Sequence, residues 1–243
     1  MGPGMDDRIK KMISSPLLET AGILAALPDQ EGGPIYRAAV LIAGSMRSGG
    51  KLMLCGNGGS AADCQHMAAE FVCRLSKQRE RPALPAIALT TDTSFLTAFC
   101  NDYCFENVFL RQVQALGRPG DVLMGISTSG DSENVKRAVR VSKTLRIGTI
   151  ALTCRGGAIG RHADVAIEVD SKNTSVIQNV HLAVEHVLCA LVEEMIFGGD
   201  PGPAGKDGLG LADCVGRGRG AGRAAGRRRA RAHARAGRRV GPG

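Results

Sequence analysis

The 243-residue sequence predicts an α/β fold: a largely parallel sheet covered by helices on both faces. Two observations carry this. Short apolar runs of strand length alternate with longer helical stretches, and Gly- and Ser-rich turns separate them.

Taken in order, residues 6–27 have helical character. A second helix is predicted over 35–48, with apolar Ala38, Val40, Leu41 and Ile42, stopped by Ser48-Gly49-Gly50. Residues 51–55 form a short apolar run bounded by glycines, which reads as a buried strand. A tight polar turn over 56–60 leads into a helix over 61–74. The pattern repeats: a strand at 85–89, a polar loop and a helix near 107–117; a strand at 121–126, a turn at 127–131 and a helix over 132–145. Strands at 147–153 and 164–169 follow, then a long apolar helix over 174–197. The run Gly198-Gly199-Asp200-Pro201-Gly202-Pro203 breaks that helix. Three segments result: an N-terminal helical part (1–50), a core (51–199) and a Gly/Ala/Arg-rich basic tail (200–243). The tail has no apolar periodicity to offset its ordering entropy, so it is expected to be disordered.

The formal net charge of +8 suggests a nucleic-acid binder until its position is read. Residues 200–243 hold ten Arg, one Lys and three Asp, whereas residues 1–199 carry 20 basic and 20 acidic side chains. The excess therefore lies wholly in the tail, which can attract polyanions without sequence preference. No specific nucleic-acid partner is expected, and with two Tyr, six Phe and no Trp a base-stacking surface is not indicated. No run of 18 apolar residues predicts a membrane span, and residues 1–11 have no signal-peptide core. The eight Cys form no Cys-x-x-Cys pair, so neither a zinc ribbon nor a thioredoxin-type site is indicated. Scattered thiols in an enzyme-sized chain point to a reducing cytoplasm.

Two strand-to-helix turns are dense in Gly and hydroxyls: Gly56-Asn57-Gly58-Gly59-Ser60 and Ser127-Thr128-Ser129-Gly130-Asp131-Ser132. At the carboxyl ends of strands, backbone N–H groups and helix dipoles favour an anion, and hydroxyls add donors without charge. Two such cradles suit a sugar phosphate. Neither is a Walker motif, and neither has a dinucleotide fingerprint. After the first turn, His66 and Glu70 stand at i and i+4, about 6 Å apart along one helix face, a pair able to ligate a metal or act as acid and base. The last helix carries Gln178, His181, Glu185 and His186. His181 and Glu185 are also i and i+4, and they read as a solvated face. Gln178 and His186 lie about 12 Å apart along a straight helix, so spacing alone does not select them.

The run from Cys55 to Glu70, Asn101-Asp102, Gly125-Ile126-Ser127-Thr128-Ser129-Gly130, and the stretch from Gln178 to His186 resemble the phosphoheptose isomerases of the sugar isomerase (SIS) fold. The resemblance covers about residues 51–197. It implies a flavodoxin-like three-layer sandwich, a homotetramer, and conversion of sedoheptulose 7-phosphate to D-glycero-D-manno-heptose 7-phosphate for bacterial surface glycans such as lipopolysaccharide. It implies one zinc per subunit on His66, Glu70, Gln178 and His186, with Glu70 and His186 as the acid–base pair. It further implies substrate contacts from Asn57, Gly58, Gly59, Ser60, His66, Glu70, Asn101, Asp102, Ser127, Thr128, Ser129, Ser132 and Gln178. On this reading His181 and Glu185 are structural. Some relatives of the fold lack isomerase activity and bind a replication initiator; the presence of both Glu70 and His186 favours the enzyme. An isomerase for another phosphosugar is the further alternative.

The sequence departs from the family pattern at Cys73, Cys100, Cys104 and Cys154, where Gly is common. If those positions need a positive φ, a Cys there adds strain beside the Asn101-Asp102 loop. Asp131 stands where Asn is common and brings a negative charge near the phosphate turn.

Overall fold

The computed structural model describes residues 6–27 and 32–198. The expected disorder of residues 200–243 lies outside them. The elements run α1 (Asp7–Ala26), α2 (Pro34–Arg47), β1 (Leu52–Gly56), α3 (Gly59–Val72), β2 (Ala86–Ala88), α4 (Thr93–Asp102), α5 (Val108–Leu116), β3 (Val122–Ser127), α6 (Glu133–Thr144), β4 (Gly148–Cys154), β5 (Val165–Val169) and α7 (Thr174–Phe197).

The five strands form one parallel sheet in the order β2-β1-β3-β4-β5. This is the flavodoxin-like doubly wound order. Alternation along the strands builds two cores. Leu52, Leu54, Met124, Ile150 and Leu152 face α2, α3 and α7 on one side. Met53, Cys55, Leu123 and Ala151 face α5 and α6 on the other. Every residue of β1 and β3 is buried, which is why these strands read as unbroken apolar runs.

The expected polar loop between β2 and α5 instead contains α4. Asp92 caps it by accepting the Phe95 N–H at 2.9 Å, and Phe95, Phe99 and Tyr103 stack at four-residue spacing, with centroids 5.3 and 4.9 Å apart. Both features follow helix rules; Phe95, Leu96 and Phe99 form a short, partly buried stripe packed against the second core, and no side chain of the segment is fully buried. Asn101 and Asp102 therefore occupy the last turn of a helix, not a loop. The strain expected at the cysteines is absent: among the described residues the only non-glycine with positive φ is Arg146, which follows α6.

Candidate active site

β1 and β3 are neighbours, with Gly56 paired to Ile126, and the chain leaves them in opposite directions around the sheet. Their carboxyl ends thus frame the crevice where open α/β sheets bind ligands. Both Gly-rich turns meet there. Gly58 takes φ +55° to turn the chain into α3, so Gly59 and Ser60 already belong to that helix. Gly130 takes φ +71°, and a Cβ there would run into the Gly157 backbone and Thr153 Oγ1.

An ordinary Ser-capped turn would use the Ser132 hydroxyl on its own helix. Ser132 is the N-cap of α6, but its side chain makes no capping bond. Its Oγ pairs instead with Ser127 Oγ at 3.0 Å, and Ser127 Oγ lies 3.3 Å from Ser129 Oγ and accepts the Gly130 N–H at 3.1 Å. The hydroxyls form a cluster at the helix start, where the dipole is positive. The two turns are latched by reciprocal amide bonds: Asn57 Nδ2 donates to Asn134 Oδ1 at 2.9 Å, and Asn134 Nδ2 donates to Asn57 Oδ1 at 2.8 Å. Sequence reasoning missed Asn134. Its partner lies 77 residues away, and an Asn in a first helical turn looks like local capping.

α3 and α7 start at this end of the sheet and pack side by side. Their facing sides bring three predicted residues together. His66 Nε2 lies 2.9 Å from His186 Nε2, with the rings nearly perpendicular at 87°. His66 Nε2 lies 3.8 Å from Glu70 Oε1, as the i, i+4 spacing requires. Glu70 Oε2 is buried without a hydrogen-bond partner among the described residues.

Gln178 is two turns away from His186. Its Nε2 donates to Asp63 Oδ2 at 3.2 Å, and its amide lies over Gly59, where any side chain would collide with it. Burial raises the Asp63 carboxyl above its usual range, and the Gln178 bond and His66 partly counter this. Asn101 donates to Asp102 at 2.9 Å, and both are exposed. Among the described residues neither bonds to the Gly-rich turns or to the histidines.

The solvated face expected at His181 and Glu185 is not found: His181 is fully buried and Glu185 is 1% exposed. α7 is apolar around most of its circumference and is packed accordingly, so polar residues within it are enclosed too. Burial pushes the Glu185 carboxyl up to about 8, with Asp63 adding to the effect. Burial lowers His181 to about 4. Among the described residues neither Glu185 oxygen finds a donor. The His181 nitrogens make no hydrogen bond of normal geometry among the described residues, although Thr153 lies close enough to act on the ring.

The donor set suits zinc in type: two imidazole nitrogens and a carboxylate, with an amide oxygen as a fourth candidate. The two Nε2 atoms face each other at 2.9 Å, and Glu70 Oε2 lacks, among the described residues, the partner a buried carboxylate needs. Among the described residues no three His, Cys, Asp or Glu side chains close into a metal-holding group. Glu70 stands off at 3.8 Å, and Gln178 is turned toward Asp63.

The SIS domain model matches residues 18–154. Over 164 residues the chain is 54% identical to a phosphoheptose isomerase of a Roseiflexus species, covering 67% of this chain and 82% of that protein. It is 44% identical over 194 residues to the phosphoheptose isomerase of a Nitratidesulfovibrio vulgaris strain, covering 79% and 92%. The solved structure of phosphoheptose isomerase from Neisseria gonorrhoeae superposes with a TM-score of 0.68 at 41% identity, covering 77% of this chain and 98% of that one. The matching model, the level of identity and the shared architecture agree: the chain belongs to the phosphoheptose isomerases, isomerases of the SIS-domain fold.

Proposed function

We propose that the protein converts D-sedoheptulose 7-phosphate to D-glycero-D-manno-heptose 7-phosphate, supplying heptose for surface glycans such as lipopolysaccharide from the cytoplasm. The single observation that carries this is the hydroxyl cluster of Ser127, Ser129 and Ser132 at an uncapped helix start, on the turn latched to the one that opens α3, the helix bearing His66 and Glu70. A phosphate at the turns leaves the other end of a seven-carbon chain for the acid–base groups.

Ketose–aldose isomerisation moves a hydrogen from C1 to C2. Glu70 takes a proton from C1; the electron pair of that C–H bond forms the C1–C2 double bond, and charge passes to O2. His186 gives a proton to O2 and accepts one from O1, so the carbonyl forms at C1. Glu70 returns its proton to C2, and the residues end as they began. Zinc held by His66, Glu70, Gln178 and His186 would stabilise the negative oxygens of the enediolate. Thr128 and the backbone of Gly58 and Gly59 would hold the phosphate with the serines. Asn101 and Asp102 would approach substrate by movement of the exposed α4 turn.

A homotetramer is part of the same reading. α1 buries none of its residues and exposes Ile9, Met12, Ile13, Leu17 and Leu18, a face that second copies of the chain would cover.

The test is turnover of sedoheptulose 7-phosphate by purified protein, followed by NMR of the sugar phosphates, with Glu70→Gln and His186→Ala in parallel. Turnover by the wild type and its loss in both folded variants is expected. Near-native turnover in either variant contradicts the assignment. Metal analysis of the same preparation is expected to find about one zinc per chain; a metal-free preparation with full activity removes zinc from the account.

A further inference from the structure

Residues 73–85 carry the chain from α3 to β2. Within them Arg81 is buried, its side chain 1% exposed, against Glu193 of α7 at 5%. Its guanidinium is fully engaged. Nη2 donates to the Glu70 carbonyl at 2.7 Å, and Nη1 donates to the Phe71 and Pro82 carbonyls at 2.8 and 3.0 Å. Nε donates to Glu193 Oε1 at 2.7 Å, and the same oxygen accepts the Leu75 N–H at 3.3 Å.

These bonds do two things. They satisfy orphan carbonyls at the end of α3, a helix with no basic residue in its own last turn. They also fix the backbone of Glu70 to α7, two turns beyond His186. Packing alone does not call for this, because a hydrophobic pair of similar volume is usually as stable as a buried ion pair. A planar fork bonded in several directions adds fixed geometry.

We propose that Arg81 and Glu193 are positioning residues that set the separation of Glu70 and His186. The inference rests on reading Glu70 and His186 as the acid–base pair. A neighbouring bridge provides a control: Arg79 and Glu194 join the same two segments at 2.5 Å, but they are exposed. A bridge of that kind contributes little.

The experiment compares Arg81→Lys, Glu193→Gln, the double variant Arg81→Met/Glu193→Leu, and the control Arg79→Ala. Folding is checked by circular dichroism, and steady-state kinetics are measured with sedoheptulose 7-phosphate, with inorganic phosphate as a competitive inhibitor. Misplacing a catalytic group by a fraction of an ångström to 1 Å is expected to lower kcat by about 10- to 100-fold. KM and the phosphate inhibition constant should stay near wild type, because the hydroxylated turns are untouched. Arg81→Lys, which keeps the charge, should fall between wild type and the double variant, and Arg79→Ala should match wild type. The proposal is overturned if folded clamp variants keep wild-type kcat, or if KM and phosphate inhibition change as much as kcat. It is also overturned if none of the clamp variants folds, which would make the pair a stability element. Glu70→Gln, measured alongside, separates the two failures. If it retains turnover, the acid–base reading is wrong; if it is inactive while clamp variants are normal, only the positioning role is wrong.

Discussion

The seam between α3 and α7 has two contrasting ends. At the open end, His66 and His186 present the same ring nitrogen to each other, and Glu70 keeps a buried oxygen without a donor. At the closed end, Arg81 and Glu193 are more deeply buried, yet each guanidinium nitrogen has a partner. The same two helices thus leave a carboxylate oxygen unsatisfied beside the facing histidines and saturate the ion pair at the other end. The difference teaches where this fold holds reactivity and where it holds geometry. Buried polar groups without partners are costly, so each one calls for a structural or functional reason.

The contrast breaks most sharply at the open end. Glu70→Gln should cost about 10²–10⁴-fold in turnover and leave the thermal midpoint nearly unchanged. A large loss of stability would mean that Glu70 belongs to the structural end instead. At the closed end the signs reverse. Arg81→Ala strands Glu193 without its charge partner and should cost about 3–5 kcal/mol in urea unfolding. A cost below about 1 kcal/mol would make the bridge no better than an exposed one.

Between the two ends, Glu185 tests whether every unsatisfied group is functional. It is buried and lacks donors among the described residues, but it is not one of the groups assigned to the chemistry. Glu185→Leu should stabilise the fold by about 1–3 kcal/mol with turnover retained. Loss of turnover would extend the reactive region down the helix.

The smallest effect lies away from the seam, at Asp164. Burial raises its carboxyl, but hydrogen bonds from Thr149 and Lys143 outweigh burial and hold it below the usual carboxylate range. A lowered folded pKa contributes stability above the unfolded value, which is lost as pH falls through the folded one. Asp164→Asn should therefore cost about 1 kcal/mol near neutral pH. That gap should narrow as acid unfolding titrates the wild-type carboxylate, and a gap independent of pH would deny the carboxylate its part.

Much of this was legible in the sequence because it depends on local pattern. The five strands and the long last helix follow from apolar runs and glycine stops, and both Gly-rich turns from their composition. His66 and Glu70 follow from helical spacing. What was not legible depends on distant partners or on the absence of burial. α4 has an N-cap, stacked rings and an apolar face that is only partly buried. Arg81 sits in a run of charged residues like its neighbour Arg79, and only its fold partner, 112 residues on, separates the two. His181 and Glu185 looked solvated because polar spacing was weighed above the apolar circumference of their helix. The choice of Gln178 and His186 came from family resemblance, since helical geometry puts them two turns apart.

The central claim is that Glu70 moves hydrogen between C1 and C2 of a seven-carbon sugar phosphate. Incubating sedoheptulose 7-phosphate with the protein in D₂O and reading C2 of the product by NMR tests it most directly. The account predicts heptose 7-phosphate formed by the wild type and not by Glu70→Gln, with deuterium at C2 in the fraction of turnovers in which the proton on Glu70 exchanges with solvent before its return. Undiminished formation of the same product by Glu70→Gln, or no product from well-folded wild-type protein, would contradict it.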